Sequence, residues 1–155
     1  MNDDAKIHTH IYKSLYYSQY FKNFNLKMKV IVTGGAGFIG SHLVDGLLDL
    51  GYEVVVLDNF STGRKENLDH VKGKIKLVKC DLSNKGEWIE EFKNVDWVFH
   101  LASLADIVPS IQNPESYFHS NVDATFYVLE AARHNNIKRF VYSASSSCYG
   151  IPDEY

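Results

Sequence analysis

The chain has 155 residues, 45% of them hydrophobic and 23% charged, with a formal net charge of −3. That balance is too apolar for a disordered chain, offers no basic footprint for nucleic acid or an anionic membrane surface, and has the length of a single domain. Cys80 and Cys148 form neither a disulfide framework nor a metal-ligand spacing, and no apolar run approaches the roughly 18 residues of a membrane-spanning helix, so a cytoplasmic protein without a bound metal is expected.

Residues 1–27 differ in character from the rest of the chain. They contain no Gly or Pro, and Tyr12, Tyr16, Tyr17, Tyr20, Phe21 and Phe24 crowd into one short stretch. Ile7, Ile11 and Leu15 fall at helical spacing, but the aromatics then spread around the whole helix instead of along one stripe. There is no apolar core for a signal peptide, and Asp3 and Asp4 without any Arg argue against a transit peptide. The segment is expected to be an extension outside the fold, with Met28 a candidate start directly before the first strand. His8 and His10 alternate, yet no third ligand accompanies them, so they read as part of a solvated tail.

From Met28 the pattern becomes regular. Lys29–Thr33 (KVIVT) predicts a buried parallel strand. Phe38–Leu50 places Ile39, Leu43, Leu47 and Leu50 at helical spacing, closed by Gly51. Glu53–Leu57 (EVVVL) reads as a second strand, and a polar segment, Asn59–His70, leads to a third at Lys74–Lys79. Glu87–Lys93 reads as a short helix and Val95–Leu101 as a fourth strand. Pro114–Asn135 holds a long helix in which Val122, Phe126, Leu129 and Ala132/Arg133 follow a period near 3.6, and Arg139–Ser143 is a fifth strand. Alternating strands and helices predict an α/β fold: a Rossmann-type parallel sheet with helices on both faces, over residues 28–155. Phe140, Val141 and Tyr142 are apolar at consecutive positions, as in a central strand covered on both sides; left at an edge, that strand invites pairing with another chain.

Between the first strand and the first helix runs Thr33-Gly34-Gly35-Ala36-Gly37-Phe38-Ile39-Gly40. Gly34 suits a tight strand-to-helix turn, Gly37 lets the backbone approach a pyrophosphate, and Gly40 lets helix and sheet come close. Phosphates there would meet unpaired N–H groups and the positive end of the helix dipole. Asp58 follows the second strand, 18 residues after Gly40, where a carboxylate can accept hydrogen bonds from adenosine ribose hydroxyls. Its charge would repel a 2′-phosphate, so NAD is expected over NADP; Arg64 is the one nearby feature that works against this preference. The competing reading of Asp58 is a turn residue before Asn59.

With these residues the chain resembles the extended short-chain dehydrogenase/reductases, in their NAD-dependent epimerase/dehydratase branch acting on nucleotide sugars. The resemblance rests on TGGAGFIG at 33–40, LDNFSTG at 57–63, CDL at 80–82, VFHLAS at 98–103, NV at 121–122 and YSASSSCYG at 142–150, and it covers residues 28–155. It implies that Phe38 and Ile39 help cover the pyrophosphate, that Asp58 and Asn59 hold the adenosine ribose, and that Asp81 and Leu82 border the adenine. It further implies that Leu101, Ala102 and Ser103 lie along the cofactor ribose and phosphate and that Asn121 and Ser143 line the nicotinamide side. Two positions depart from relatives: Ala105 where some 4-epimerases carry Lys, and Ala124 where Gly is frequent.

The resemblance also makes Ser145, four residues before Tyr149-Gly150, the catalytic hydroxyl that hydrogen-bonds the sugar 4-oxygen as a neighbouring Tyr removes its proton. That base is a Tyr whose pKa is lowered by a Lys one helical turn later. None of the ten tyrosines has Lys four positions on: Tyr149 is followed by Asp153 at that spacing, and Tyr155 is the last residue. The chain is therefore expected to be the first half of an enzyme, its sheet truncated after the fifth strand and its substrate domain absent. Ser145–Ser147 lack the G-x-S-x-G context of a serine nucleophile, Cys148 reads as a packing residue, and His100 as a histidine bonded locally in the core. His42, His119 and His134 are likewise expected to be structural.

The leading expectation is the NAD-binding portion of a UDP-glucose 4-epimerase-like enzyme acting on a nucleotide-sugar substrate, a homodimer in its full-length relatives. A 4,6-dehydratase is disfavoured, because relatives of that type carry Asp-Glu where Ser146 and Ser147 stand. A decarboxylase of the same family and a non-catalytic dinucleotide-binding fragment complete the alternatives.

Overall fold

The computed structural model describes residues 27–145 and 149–150. The extension 1–26 with His8, His10 and its aromatics lies outside the described residues, as do Ser146, Ser147, Cys148, Asp153 and Tyr155.

Five strands, β1 (Lys29–Thr33), β2 (Glu53–Asp58), β3 (Ile75–Lys79), β4 (Trp97–His100) and β5 (Arg139–Tyr142), form one sheet in the order β3-β2-β1-β4-β5, parallel at each pairing. The β-branched runs have no polar alternation because both faces are covered. Successive residues point to opposite faces. Val30, Val32, Val54 and Val56 meet Val44 and Leu47 of helix α1 (Phe38–Asp49), together with Leu68 and Val71. Ile31, Val55, Leu57 and Val98 meet Trp88, Phe92 and the smaller residues Ala124, Val128, Ala131 and Ala132 on the other side. Each Val, Leu or Ile fully withdrawn from water contributes about 1.5–3 kcal/mol before the entropy of ordering is subtracted.

The expected elements are present, with instructive differences. Glu87–Phe92 is a tight 3-10 coil, not an α-helix, and buries Trp88 and Phe92. A second such coil, Lys65–Val71, rises within the segment read as merely polar and closes over α1 with Leu68 and Val71. Two apolar residues among charged neighbours are too few to show a period. Helix α2 (Ile107–Gln112) has no counterpart among the expected elements. The long helix runs from Pro114 to His134 as α3 (Pro114–Phe118), a π-helical turn (His119–Asp123) and α4 (Ala124–His134).

Of the apolar stripe expected on that long helix, only Ala132 faces the sheet. Val122, Phe126 and Leu129 are exposed, and the buried face is Ala124, Val128, Ala131 and Ala132. The stripe expected on helix α1 is met in part: Leu47 is buried and Leu43 packs against the core, whereas Ile39 and, just past the helix, Leu50 are exposed. Gly51, at φ +82°, ends α1 as read.

β5 occupies one edge of the sheet. Phe140 reaches the core, while Val141 and Tyr142 are 41% and 54% exposed. An apolar parallel edge with unpaired backbone groups is a template for another strand. The 155-residue polypeptide is expected to self-associate, and Val141→Lys to reduce the association. Sedimentation velocity over a concentration series measures this; a monodisperse monomer at high concentration would contradict it.

Candidate functional site

The sheet order runs outward in both directions from β1, to β2 on one side and β4 on the other, so a crevice opens beyond the carboxyl ends of β1 and β4. A cleft of about 490 Å³ lies there, bordered by the glycine turn, the ends of β2 and β3, and the segments after β4 and β5.

The turn itself is dictated by contact distances. Gly34 has φ +67°, and a Cβ there would lie 2.8 Å from the Ala102 nitrogen. A Cβ on Gly40 would lie 2.2 Å from the Gly34 carbonyl oxygen and 2.7 Å from the Gly35 Cα. No side chain satisfies either limit. Gly34 N–H donates to Leu57 O (2.9 Å) and Gly37 N–H to Gly34 O (3.1 Å), so the bend is tied to β2 and to itself. Gly37 then opens α1 with no side-chain cap and no acidic residue in the first turn. The first amides of the helix have no acceptor within it, and its positive end faces the cleft.

Asp58 ends β2 and is only 6% exposed. Its Oδ2 accepts the Ala36 N–H at 2.9 Å and its Oδ1 the Phe60 N–H at 2.7 Å. The carboxylate therefore does the turn work that the sequence left as an alternative, and it also borders the cleft, each oxygen keeping a second lone pair. Asn59 Oδ1 accepts the Ser61 N–H at 2.9 Å, and Phe60 adopts φ +61°, a conformation L side chains rarely take. Arg64 N–H and Asn67 Nδ2 both donate to Ala36 O (3.0 and 2.9 Å), folding residues 59–64 against the glycine turn. Ser61, Thr62 and Gly63 thereby border the cleft; the polar run 59–70 held no periodic cue to them.

Asp81 and Leu82 follow β3, Asp81 accepting the Ser83 N–H at 2.9 Å and Leu82 buried. Between Asp58 and Asp81 sits Cys80, its thiol pushed up to about 12 by burial, then by Asp58, Asp81 and Glu91; it stays protonated and is no nucleophile. Leu101, Ala102 and Ser103 follow β4, and Ser143 and Ser145 follow β5, all bordering the same cleft. Asn121 is the exception among the expected site residues. It lies in the π-helical turn, beside an adjoining hollow that shares Ser103, Ser143 and Ser145. Its amide is committed to Leu104, accepting that residue's N–H at 2.8 Å and donating to its carbonyl at 2.9 Å.

His100 is 1% exposed. Nδ1 meets Thr33 Oγ1 at 2.7 Å and Nε2 meets Thr125 Oγ1 at 2.9 Å, the local bonding expected of a core histidine. Burial pushes its pKa down to about 4, so the ring is neutral. Exposed His42, His119 and His134 bond within their own helices, His42 Nδ1 to Phe38 O at 2.8 Å and His119 to Asp123. Among the described residues no group of three or more His, Cys, Asp or Glu could hold a metal, and every buried side-chain nitrogen or oxygen has a hydrogen-bond partner.

Comparison with known proteins places this geometry. Residues 30–155 match the model of the NAD dependent epimerase/dehydratase family. A UDP-glucose 4-epimerase of Bacillus subtilis (strain 168) is 39% identical over 132 residues, 81% of this chain and 39% of that protein. UDP-glucuronic acid decarboxylase 1 of Arabidopsis thaliana is 40% identical over 132 residues, 83% of this chain and 29% of that protein. The crystal structure of a UDP-glucose 4-epimerase from Bifidobacterium longum in complex with NAD+ and UDP superposes with a TM-score of 0.74 at 33% identity, covering 82% of this chain and 40% of that one. The chain thus spans less than half the length of the proteins it matches.

Two outcomes are expected from the site's geometry. Gly40→Ala forces a methyl into the Gly34 carbonyl, and unfolding in urea is expected to show a loss of at least about 2 kcal/mol, far beyond an ordinary surface change. The second concerns pH. Native His100 titrates near 4 but an unfolded histidine near 6.5, so between these values the unfolded chain binds more protons. The stability this burial provides is complete above about pH 6.5 and is lost as the pH falls toward 4. Between about pH 7 and about pH 5 the loss is on the order of 2 kcal/mol. Subtracting the urea profile of His100→Asn from the wild-type profile isolates this slope from other groups.

Proposed function

Because the chain belongs to the NAD dependent epimerase/dehydratase family, we propose that it is the NAD-binding portion of a nucleotide-sugar 4-epimerase. The observation that carries this reading is the uncapped start of α1 at the sheet's switch point with the Asp58 carboxylate across the same cleft. The cleft fits a dinucleotide: amide donors at one end suit a pyrophosphate, an acceptor at the next strand suits a ribose, and the glycine bend leaves no side chain between them.

In this reading Gly34, Gly37 and Gly40 shape the pyrophosphate site, with Phe38 and Ile39 over it. Asp58 and Asn59 take the adenosine ribose, and Asp81 and Leu82 border the adenine. Leu101, Ala102, Ser103 and Ser143 run along the rest of the cofactor, with Asn121 on the nicotinamide side through the Leu104 backbone it holds. The lone pairs Asp58 retains are its means of accepting ribose hydroxyls, and its charge, already buried, disfavours an added 2′-phosphate. When bound, NAD would supply a hydride acceptor beside the sugar C4. Ser145 would hold the sugar 4-oxygen.

The substrate is read as a UDP-sugar, consistent with the names of the relatives, and the complete enzyme as a cytoplasmic homodimer. Among the described residues no helix is long and apolar enough to cross a membrane. The 40% identity to a UDP-glucuronic acid decarboxylase favours one second reading, a decarboxylase built on the same cofactor half. Without a Tyr-x-x-x-Lys pair the 155-residue polypeptide is expected to bind the dinucleotide and leave the sugar unchanged.

Calorimetric titration of the polypeptide with NAD+ and NADP+ tests the reading. One NAD+ per chain is expected, with NADP+ weaker by about tenfold or more and Asp58→Asn narrowing that gap, the scale of one hydrogen bond to a charged group. A folded wild-type chain that takes up no NAD+ would refute it. So would C4 epimerisation of a UDP-sugar by this polypeptide alone, as regards its incompleteness.

A further inference from the structure

We propose that His100 is a positioning residue: its imidazole, protonated at Nε2 only, orients the Thr33 hydroxyl that anchors the cofactor-facing segment 101–104, and so sets dinucleotide affinity without touching the dinucleotide. The proposal rests on the cleft being the NAD site.

The direction of every hydrogen bond in this cluster is fixed by one carbonyl. Thr125 Oγ1 lies 2.6 Å from Asn121 O, which can only accept, so the single Thr125 hydroxyl hydrogen points there. At its 2.9 Å contact with His100 Nε2, Thr125 must then accept, and Nε2 carries the proton. A neutral imidazole has one ring proton, so Nδ1 is bare and accepts the Thr33 hydroxyl at 2.7 Å. With its hydrogen engaged, Thr33 Oγ1 turns its lone pairs to the N–H groups of Ala102 (3.1 Å) and Leu101 (3.2 Å), the latter shared with the Thr33 carbonyl (3.2 Å).

Those two amides open the segment that closes the cleft beside the glycine turn; the Ala102 backbone is what a Cβ on Gly34 would strike. At the far end of the segment, Asn121 clamps both polar groups of Leu104. One continuous chain of hydrogen bonds thus runs from the Leu101 and Ala102 amides through Thr33, His100 and Thr125 to the Asn121 carbonyl, joining β1, β4 and the helical run. A ring carrying the opposite proton would present a donor to Thr33 and a bare nitrogen to Thr125, whose hydrogen is already committed. The Thr33 oxygen would then take three donors and turn away from the segment. The imidazole is sealed in this state beside Phe140 and under Tyr142, whose ring stacks at 5.8 Å.

The experiment has two arms on the full 155-residue chain. In the first, without dinucleotide, the imidazole nitrogen shifts of His100 and the hydrogen exchange of the Leu101 and Ala102 amides are read by NMR. A protonated Nε2 with a bare Nδ1, and slow exchange at both amides, are expected; the opposite tautomer would overturn the proposal. In the second arm NAD+ affinity is measured for Thr33→Val and Thr33→Ser. Valine preserves shape and burial but removes the hydroxyl, and is expected to weaken NAD+ about tenfold; serine keeps the hydroxyl at the cost of a methyl and is expected to stay within about threefold of wild type. Equal affinities for the valine variant and wild type, or a serine variant weakened as much as valine, would sink the idea. Failure of wild type itself to bind NAD+ strikes the proposed function, and the tautomer and exchange data still report on the hydrogen-bond chain.

Discussion

The approach of Gly40 to the Gly34 carbonyl is the constraint on which the site depends. A Cβ would have to sit 2.2 Å from that oxygen, so helix and turn meet backbone to backbone. This contact lets α1 begin directly beyond β1, aims its uncapped end at the sheet's switch point, and keeps side chains out of the space between. Asp58 locks the arrangement from β2 by taking the Ala36 and Phe60 amides. The anion-attracting end of the helix and the acidic residue facing it are therefore parts of one hydrogen-bonded unit, and neither can be displaced without the other.

Family membership agrees with this unit without resting on it, since the match extends over residues 30–155 and includes the ends of every strand. What the described residues form is a rigid frame around one cleft. Ser145 borders that cleft, and no tyrosine of the sequence has a lysine four positions on.

Strands and glycine turn were legible because their constraints are local. A β-branched run bounded by glycines has few other uses, and a positive φ or a close backbone approach demands glycine at one position. The two longer helices were legible too, but not the face each buries. Hydrophobic period assigned Val122, Phe126, Leu129 and Ala132 to the stripe, whereas the sheet takes Ala124, Val128, Ala131 and Ala132 and leaves the three larger residues exposed. The 3-10 coil Lys65–Val71 escaped for a related reason: it supplies only two buried residues, Leu68 and Val71. The bond of Asp58 to the Ala36 amide and that of His100 to Thr33 join residues 22 and 67 apart, beyond any local pattern.

The central place of β1 has a kinetic side. Its neighbour β4 pairs Val30 with Trp97, far along the chain, whereas β2 is supplied by the next turn of sequence. A chain that emerges amino end first can zip β1, α1 and β2 early, but the remaining flank of β1 stays bare until β4 has been made, and closing so long a loop is slow. During synthesis one of the most apolar strands of the sheet is thus half-dressed until residue 100 has been translated, a window in which its bare flank is open to wrong partners.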